Sequence, residues 1–130
     1  MRICDVIEHV DEIKPNAFSD QVKLNWLNAL EGRLISDVLL LSPLPPYTME
    51  RDWNSYLLLD PPYDDLYVLW LEAQVDRANN EYNRYANTLA IFNGYYANFT
   101  RWFAETYAPA QGYNPGRTRP WLPWVRPAVS

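Results

Sequence analysis

One cysteine, one histidine and four glycines are all that this 130-residue chain holds of the residue types that most often build metal centres, redox sites and phosphate-binding loops. A lone Cys4 excludes an internal disulfide and a thiolate zinc site. A lone His9 leaves no second imidazole for a ligand set or a catalytic relay. The glycines form no phosphate-cradling loop, and no GxSxG, HExxH or CxxC occurs. No apolar run reaches the roughly 18 residues of a membrane span. The first residues lack the basic and apolar blocks of a secretion signal. These absences lead us to expect an intracellular protein that is not an enzyme and uses no cofactor and no metal.

Aromatic side chains and proline are plentiful instead. The chain carries six Trp, ten Tyr, four Phe and eleven Pro, and 48% of its residues are hydrophobic, enough for one ordinary core in one domain. Its net charge of −5 comes from 11 basic and 16 acidic residues. Three of the basic residues, Arg117, Arg119 and Arg126, lie in the last eighteen positions, YNPGRTRPWLPWVRPAVS, which contain no acid. The rest of the chain, with eight basic and sixteen acidic side chains, therefore carries −8. An acidic body is ill suited to binding nucleic acid through phosphates. A basic tail on such a body suits docking on a neighbouring copy or another acidic partner.

The hydrophobic spacing predicts a mostly α protein, a small bundle of about four helices. Ile3, Val6, Ile7, Val10 and Ile13 share one face of a first helix over residues 2–13. Pro15 and Asn16 make a turn, and Ser19 is a suitable N-cap for a second helix over residues 20–41. Trp26, Leu27, Leu30, Leu34, Val38 and Leu41 supply that helix's apolar stripe; Gly32 within it suggests close approach of another backbone. Pro43, Pro45 and Pro46 end it. Residues 42–62 read as an irregular loop or a short hairpin, with extended pieces at 47–49 and 56–59. Pro61 and Pro62 then start a helix. From Val68 through Leu71, Val75, Ala78, Tyr82, Tyr85, Leu89, Phe92, Tyr96 and Phe99 to Phe103 the apolar residues alternate spacings of three and four, a heptad-like seam. The poor helix formers of ANNEYN interrupt it. Two helices, 63–78 and 81–107, follow, with Asn79 or Asn80 left-handed at the break; one bent helix is the alternative. Residues 1–107 thus form a helical domain, and 108–130 an extended arm that proline keeps out of a helix.

Few groups in this frame offer chemistry. Asp5 with His9, and Cys4 with Glu8, sit one turn apart, as metal or acid–base pairs do, but a solvated helix face explains them more simply. Glu72 and Asp76 bring two carboxylates to one face, while Arg77, Glu81 and Arg84 beside them read as surface ion pairs. Asn79, Asn83 and Asn87 at intervals of four form a polar stripe, either a solvent face or a hydrogen-bonding contact with another subunit. In the tail, Arg117, Arg119, Pro120, Trp121, Leu122, Pro123, Trp124 and Arg126 combine the anchor residues common at interfaces with proline, which lowers the entropy lost on docking. Arg117, Pro120 and Pro123 also fit an R-x-x-P-x-x-P ligand. Trp with Arg would suit a membrane surface as well.

The stretch PYDDLYVLWLEAQVDRANNEYNRYANTLAIFNGYYANFTRWF, together with VIEHVDEIKPNAFSDQVKLNWLNALEGRL nearer the N-terminus, resembles the small bacteriophage neck proteins, the head–tail connector or head-completion adaptors. The two stretches cover residues 62–103 and 6–34. Members of that family often carry Gly where this chain has Asn80; the middle loop and the Pro/Trp tail lie outside the resemblance. The resemblance implies a helical structural protein of the virion, made in the host cytoplasm. It implies a ring of self-associated copies, commonly twelve, between the portal and a tail-side neck or terminator protein, with genome DNA passing through the lumen. It carries over no catalytic residue, and it implies an arm that reaches the portal or an adjacent subunit. The alternative reading is a phage-encoded binding or regulatory protein whose Pro-rich tail is a peptide ligand.

Overall fold

The structure, a computed structural model, describes residues 1–106, and these are mostly helical with no strand among them. The arm at 108–130, and with it Arg117, Arg119, Pro120, Trp121, Leu122, Pro123, Trp124 and Arg126, lies outside the described residues. Helix α1 spans Ile3–Ile13 and α2 spans Asp20–Arg33. A π-helical segment, Leu34–Leu39, prolongs α2 and ends at Leu40, whose φ of 54° turns the chain away. The single-turn α3 is Met49–Asp52, α4 is Asp65–Ala78, and α5 is Tyr82–Thr106.

The local signals act where the sequence puts them. Ser19 caps α2 by accepting a hydrogen bond from Val22 N–H at 3.2 Å. Ile3, Val6, Ile7 and Val10 of α1 are fully buried, but Ile13 at its last turn is half exposed and leaves the stripe. Helices α4 and α5 are separate. Asn79 closes α4, and Asn80, with φ of 61°, reverses the chain before α5. The bent-helix alternative is therefore excluded. The break also interrupts the seam: Ala78 and Tyr82, beside the turn, are exposed, while Val68, Leu71, Val75, Phe92, Phe99 and Phe103 are buried.

Helix α4 is the centre of the bundle and packs against α1, α2 and α5. Aromatic side chains join it to α5. Tyr63, just before α4, meets Phe99 and Trp102 at centroid distances of 5.1 and 4.8 Å, and Trp70 meets Phe92 at 5.3 Å. Trp70 also donates to the Trp26 carbonyl at 2.8 Å, which fixes α4 to α2. Two buried charges complete the frame. Lys14, just past α1, pairs with the buried Asp76 of α4 at 2.7 Å, and the buried Lys23 of α2 pairs with Asp11 of α1.

The middle segment forms neither hairpin nor strand. It contains α3 and an ordered loop whose Leu57, Leu58 and Leu59 enter the core. Its one extended contact is an isolated antiparallel bridge from Tyr56 to Arg2. Gly32 admits no second backbone, since a Cβ there would meet nothing within 4 Å.

The turn between α4 and α5 yields a test. Asn tolerates a left-handed backbone better than other non-glycine residues, and glycine better still. We expect Asn80→Gly to leave stability unchanged or raised and Asn80→Val to lower it by about 1–2 kcal/mol, read from urea unfolding midpoints. Equal midpoints for the two variants would contradict a left-handed turn at this position.

Candidate functional site

Glu31 is the side chain that sequence reasoning missed. It sits in the last turn of α2, where NALEGR reads as an ordinary solvent-facing helix segment, yet it is 3% exposed. Its carboxylate collects three donors from far along the chain. Tyr67 Oη, on α4, donates to Oε1 at 2.7 Å; Tyr47 Oη and Leu58 N–H, from the middle segment, donate to Oε2 at 2.8 and 3.1 Å. The Tyr67 oxygen in turn accepts from Leu59 N–H at 3.0 Å. Burial raises the Glu31 carboxyl above the ordinary value of 4.5, and the three hydrogen bonds pull it back only in part. Burial, with the neighbouring Glu31, likewise raises both phenols. The sequence held one usable signal, a Tyr preceded by Pro-Pro and another within the first turn of α4, but nothing that paired them with residue 31.

Around this carboxylate the middle segment is tied down at further points. The Asn28 amide clamps the Tyr47 backbone, accepting from its N–H at 2.8 Å and donating to its carbonyl at 3.1 Å. Asp52, buried at the end of α3, accepts from Thr48 N–H at 2.9 Å, from Arg51 Nε at 2.9 Å and from the Ser55 hydroxyl at 3.2 Å. Burial alone would raise its carboxyl; the Arg51 guanidinium and the two other donors together hold it below the ordinary value. Between α2, the π-helical segment and this loop lies a pocket of about 310 Å³, lined by Ile35, Leu44, Pro45, Pro46 and Leu58, with Asn28, Glu31, Arg51 and Asp52 on its polar side. It is the size of a small ligand or side-chain site. It holds no nucleophile with an activating base, since the carboxylates are occupied by their own partners.

The other sequence candidates resolve as follows. His9 is exposed, and Asp5 turns away from it to Arg2, with Nε–Oδ2 at 3.1 Å. The buried Cys4 thiol lies 3.7 Å from Asn54 Oδ1. Glu72 and Asp76 form no joint site, because Asp76 is buried against Lys14. Arg84 pairs with Glu81 at 3.0 Å, as a surface ion pair. Asn79, Asn83 and Asn87 do not form one stripe: Asn79 ends α4, whereas Asn83 and Asn87 belong to α5 beyond the left-handed turn. All three are exposed. Among the described residues no cluster of three or more His, Cys, Asp or Glu could hold a metal ion, and no helix is long and apolar enough to cross a membrane.

Helix α5 presents a long surface that no other element covers extensively. It packs extensively on α4 alone, through Phe92, Phe99 and Phe103. The exposed side runs Asn83, Arg84, Asn87, Ile91, Gly94, Tyr95, Asn98, Arg101 and Glu105, with Ile91 at 52% and Tyr95 at 46%. In 25 residues α5 carries only Arg84, Arg101 and Glu105 as charges. No family model, curated protein or solved structure matches the chain.

Two outcomes follow for Glu31. Glu31→Ala strips three buried donors of their acceptor, and we expect a loss of about 3 kcal/mol in denaturant unfolding. The pH dependence has a definite sign. The folded chain holds the Glu31 proton more tightly than the unfolded chain, so above pH 4.5 it binds more protons. The stability due to this group then falls as pH rises through the raised value. Glu31→Gln removes that dependence, so wild type loses stability relative to the variant from pH 4.5 upward. Parallel stability–pH curves for the two would refute the buried, raised carboxyl.

Proposed function

We propose that this chain is a structural virion protein of the bacteriophage neck, one of about a dozen copies that close a ring between portal and tail while genome DNA passes through the lumen. The observation that carries this reading is the bare face of α5. A long helix exposed to water on half its circumference normally carries many charges; this one has charges only near its two ends, at Arg84, Arg101 and Glu105, and offers Asn, small residues, Ile91 and Tyr95 between them. Such a surface is suited to burial against protein.

The charge distribution supports association with other copies. Residues 1–81 hold six basic and fifteen acidic side chains, and residues 82–130 hold five basic and one acidic, so the chain is divided into a −9 part and a +4 part. Two identical acidic parts repel each other, whereas the C-terminal part of one copy attracts the N-terminal part of the next. Contacts of that head-to-tail kind generate rings when the rotation closes. The resemblance to neck adaptors supplies the copy number, the portal partner and the location in the virion, and an acidic ring suits a lumen through which DNA slides rather than sticks.

Quantitative mass spectrometry of purified virus particles tests the assignment. We expect about twelve copies per particle. Absence from particles, with the protein present in infected cells, would discard the neck reading in favour of a binding protein that uses its Pro-rich tail as a ligand. The interface has its own test. Ile91→Glu with Tyr95→Glu places charge on the bare face without touching the core, so we expect an unchanged melting temperature and an apparent association constant at least about tenfold weaker by light scattering, equivalent to about 1.4 kcal/mol. Retained assembly in that variant would move the contact elsewhere.

A further inference from the structure

We propose that the pocket beside Glu31 is the receptor for the Trp121–Trp124 segment of the arm of the adjacent copy. The inference rests on the ring reading only in requiring a second copy.

The pocket's chemistry selects the occupant. Its apolar walls are Ile35, Leu44, Pro45, Pro46 and Leu58, and a volume of about 310 Å³ suits one large aromatic side chain better than a helix or strand. An indole supplies a flat apolar body that such walls can cover, while the Glu31 and Asp52 carboxylates on the polar side keep the donors they already have. The entrance is open. Leu44 is 41% exposed, Pro45 and Pro46 are exposed, and residue 32 is a glycine beside which a side chain would find only empty space.

Charge and reach narrow the occupant to the arm of another copy. Residues 107–130 contain three arginines and no acid, whereas residues 1–81, which form the pocket, hold six basic and fifteen acidic side chains. The pocket's own cation, Arg51, is engaged by Asp52 at 2.8 Å and by the Pro46 carbonyl at 3.2 Å, so a basic arm is drawn to an acidic body. The last turns of α5 lie against Tyr63, and Tyr67, one turn further along α4, touches Glu31. The pocket is thus close to the end of its own α5. From Thr106 to Trp121 there are fifteen residues, a span of up to about 50 Å when extended. That length is enough to reach the pocket of a neighbouring copy.

The test uses full-length chains. One carries Leu44→Cys at the pocket entrance; a second, with a different affinity tag, carries Val125→Cys beside Trp124. The native Cys4 is buried and does not compete. After mixing and mild oxidation, we expect a disulfide between the two differently tagged chains. Gly32→Trp, whose Cβ meets no atom within 4 Å and whose indole would block the entrance, is expected to lower its yield at least about tenfold, and Trp121→Ala with Trp124→Ala to do the same. Light scattering on each sample reports assembly separately. Oligomers that form without the cross-link, or with one that Gly32→Trp leaves intact, overturn the pocket assignment and leave the ring reading standing. A cross-link confined to a chain carrying both cysteines overturns docking between copies. Chains that stay monomeric at every concentration and give no cross-link overturn both.

Discussion

The buried carboxylate of Glu31 is the interaction on which the shape of this protein depends. An ionisable group taken out of water is costly unless its lone pairs are filled. Here they are filled by groups 16, 27 and 36 residues further on. The cost of leaving Glu31 without partners therefore becomes a force that gathers the middle segment onto α2 and α4. Hydrophobic burial of Leu57, Leu58 and Leu59 pulls the same way but is not directional. The hydrogen bonds set which residue faces which. A well-packed apolar replacement could match such a cluster in stability; what the cluster supplies here is one defined position for a loop that has only one turn of helix of its own.

Fixing that loop creates the pocket. Pro45, Pro46 and Tyr47 are held away from Ile35, because Asn28 grips the Tyr47 backbone and Asp52 grips Thr48; the space between becomes the pocket. Helix α5 has α4 as its single extensive neighbour, and its outer face stays uncovered.

Much of this was legible in the sequence wherever the cause was local. The Ser19 cap, the apolar stripe of α1 and the left-handed Asn80 are decided by neighbours within a turn or two. The expectation of separate helices at ANNEYN rested on propensities that the structure obeys. The rest depends on distant partners. Glu31 sits among LNALEGRL, where a glutamate next to Gly and Arg has the pattern of a solvent face; only Tyr47, Leu58 and Tyr67 make it a core residue. Asp76 likewise reads as half of an acidic pair until Lys14, 62 residues earlier, claims it. The polar line through Asn79, Asn83 and Asn87 failed for the opposite reason: the left-handed turn expected there breaks the helix on which the line was drawn.

The separation of these features along the chain bears on how copies would meet. A two-fold dimer needs one self-complementary patch. This chain instead divides its features: an acidic N-terminal part that contains the pocket, and a C-terminal part, from α5 onward, that is basic and rich in aromatic residues. Two different features, one suited to entering and one to receiving, fit a repeating contact in the proposed assembly better than a paired one. Repetition either closes or grows without limit. Tyr63, Trp70, Phe92 and Phe99 hold α5 at one angle to α4, so in the proposed assembly this aromatic seam would be more than a core: it would set the rotation from one copy to the next.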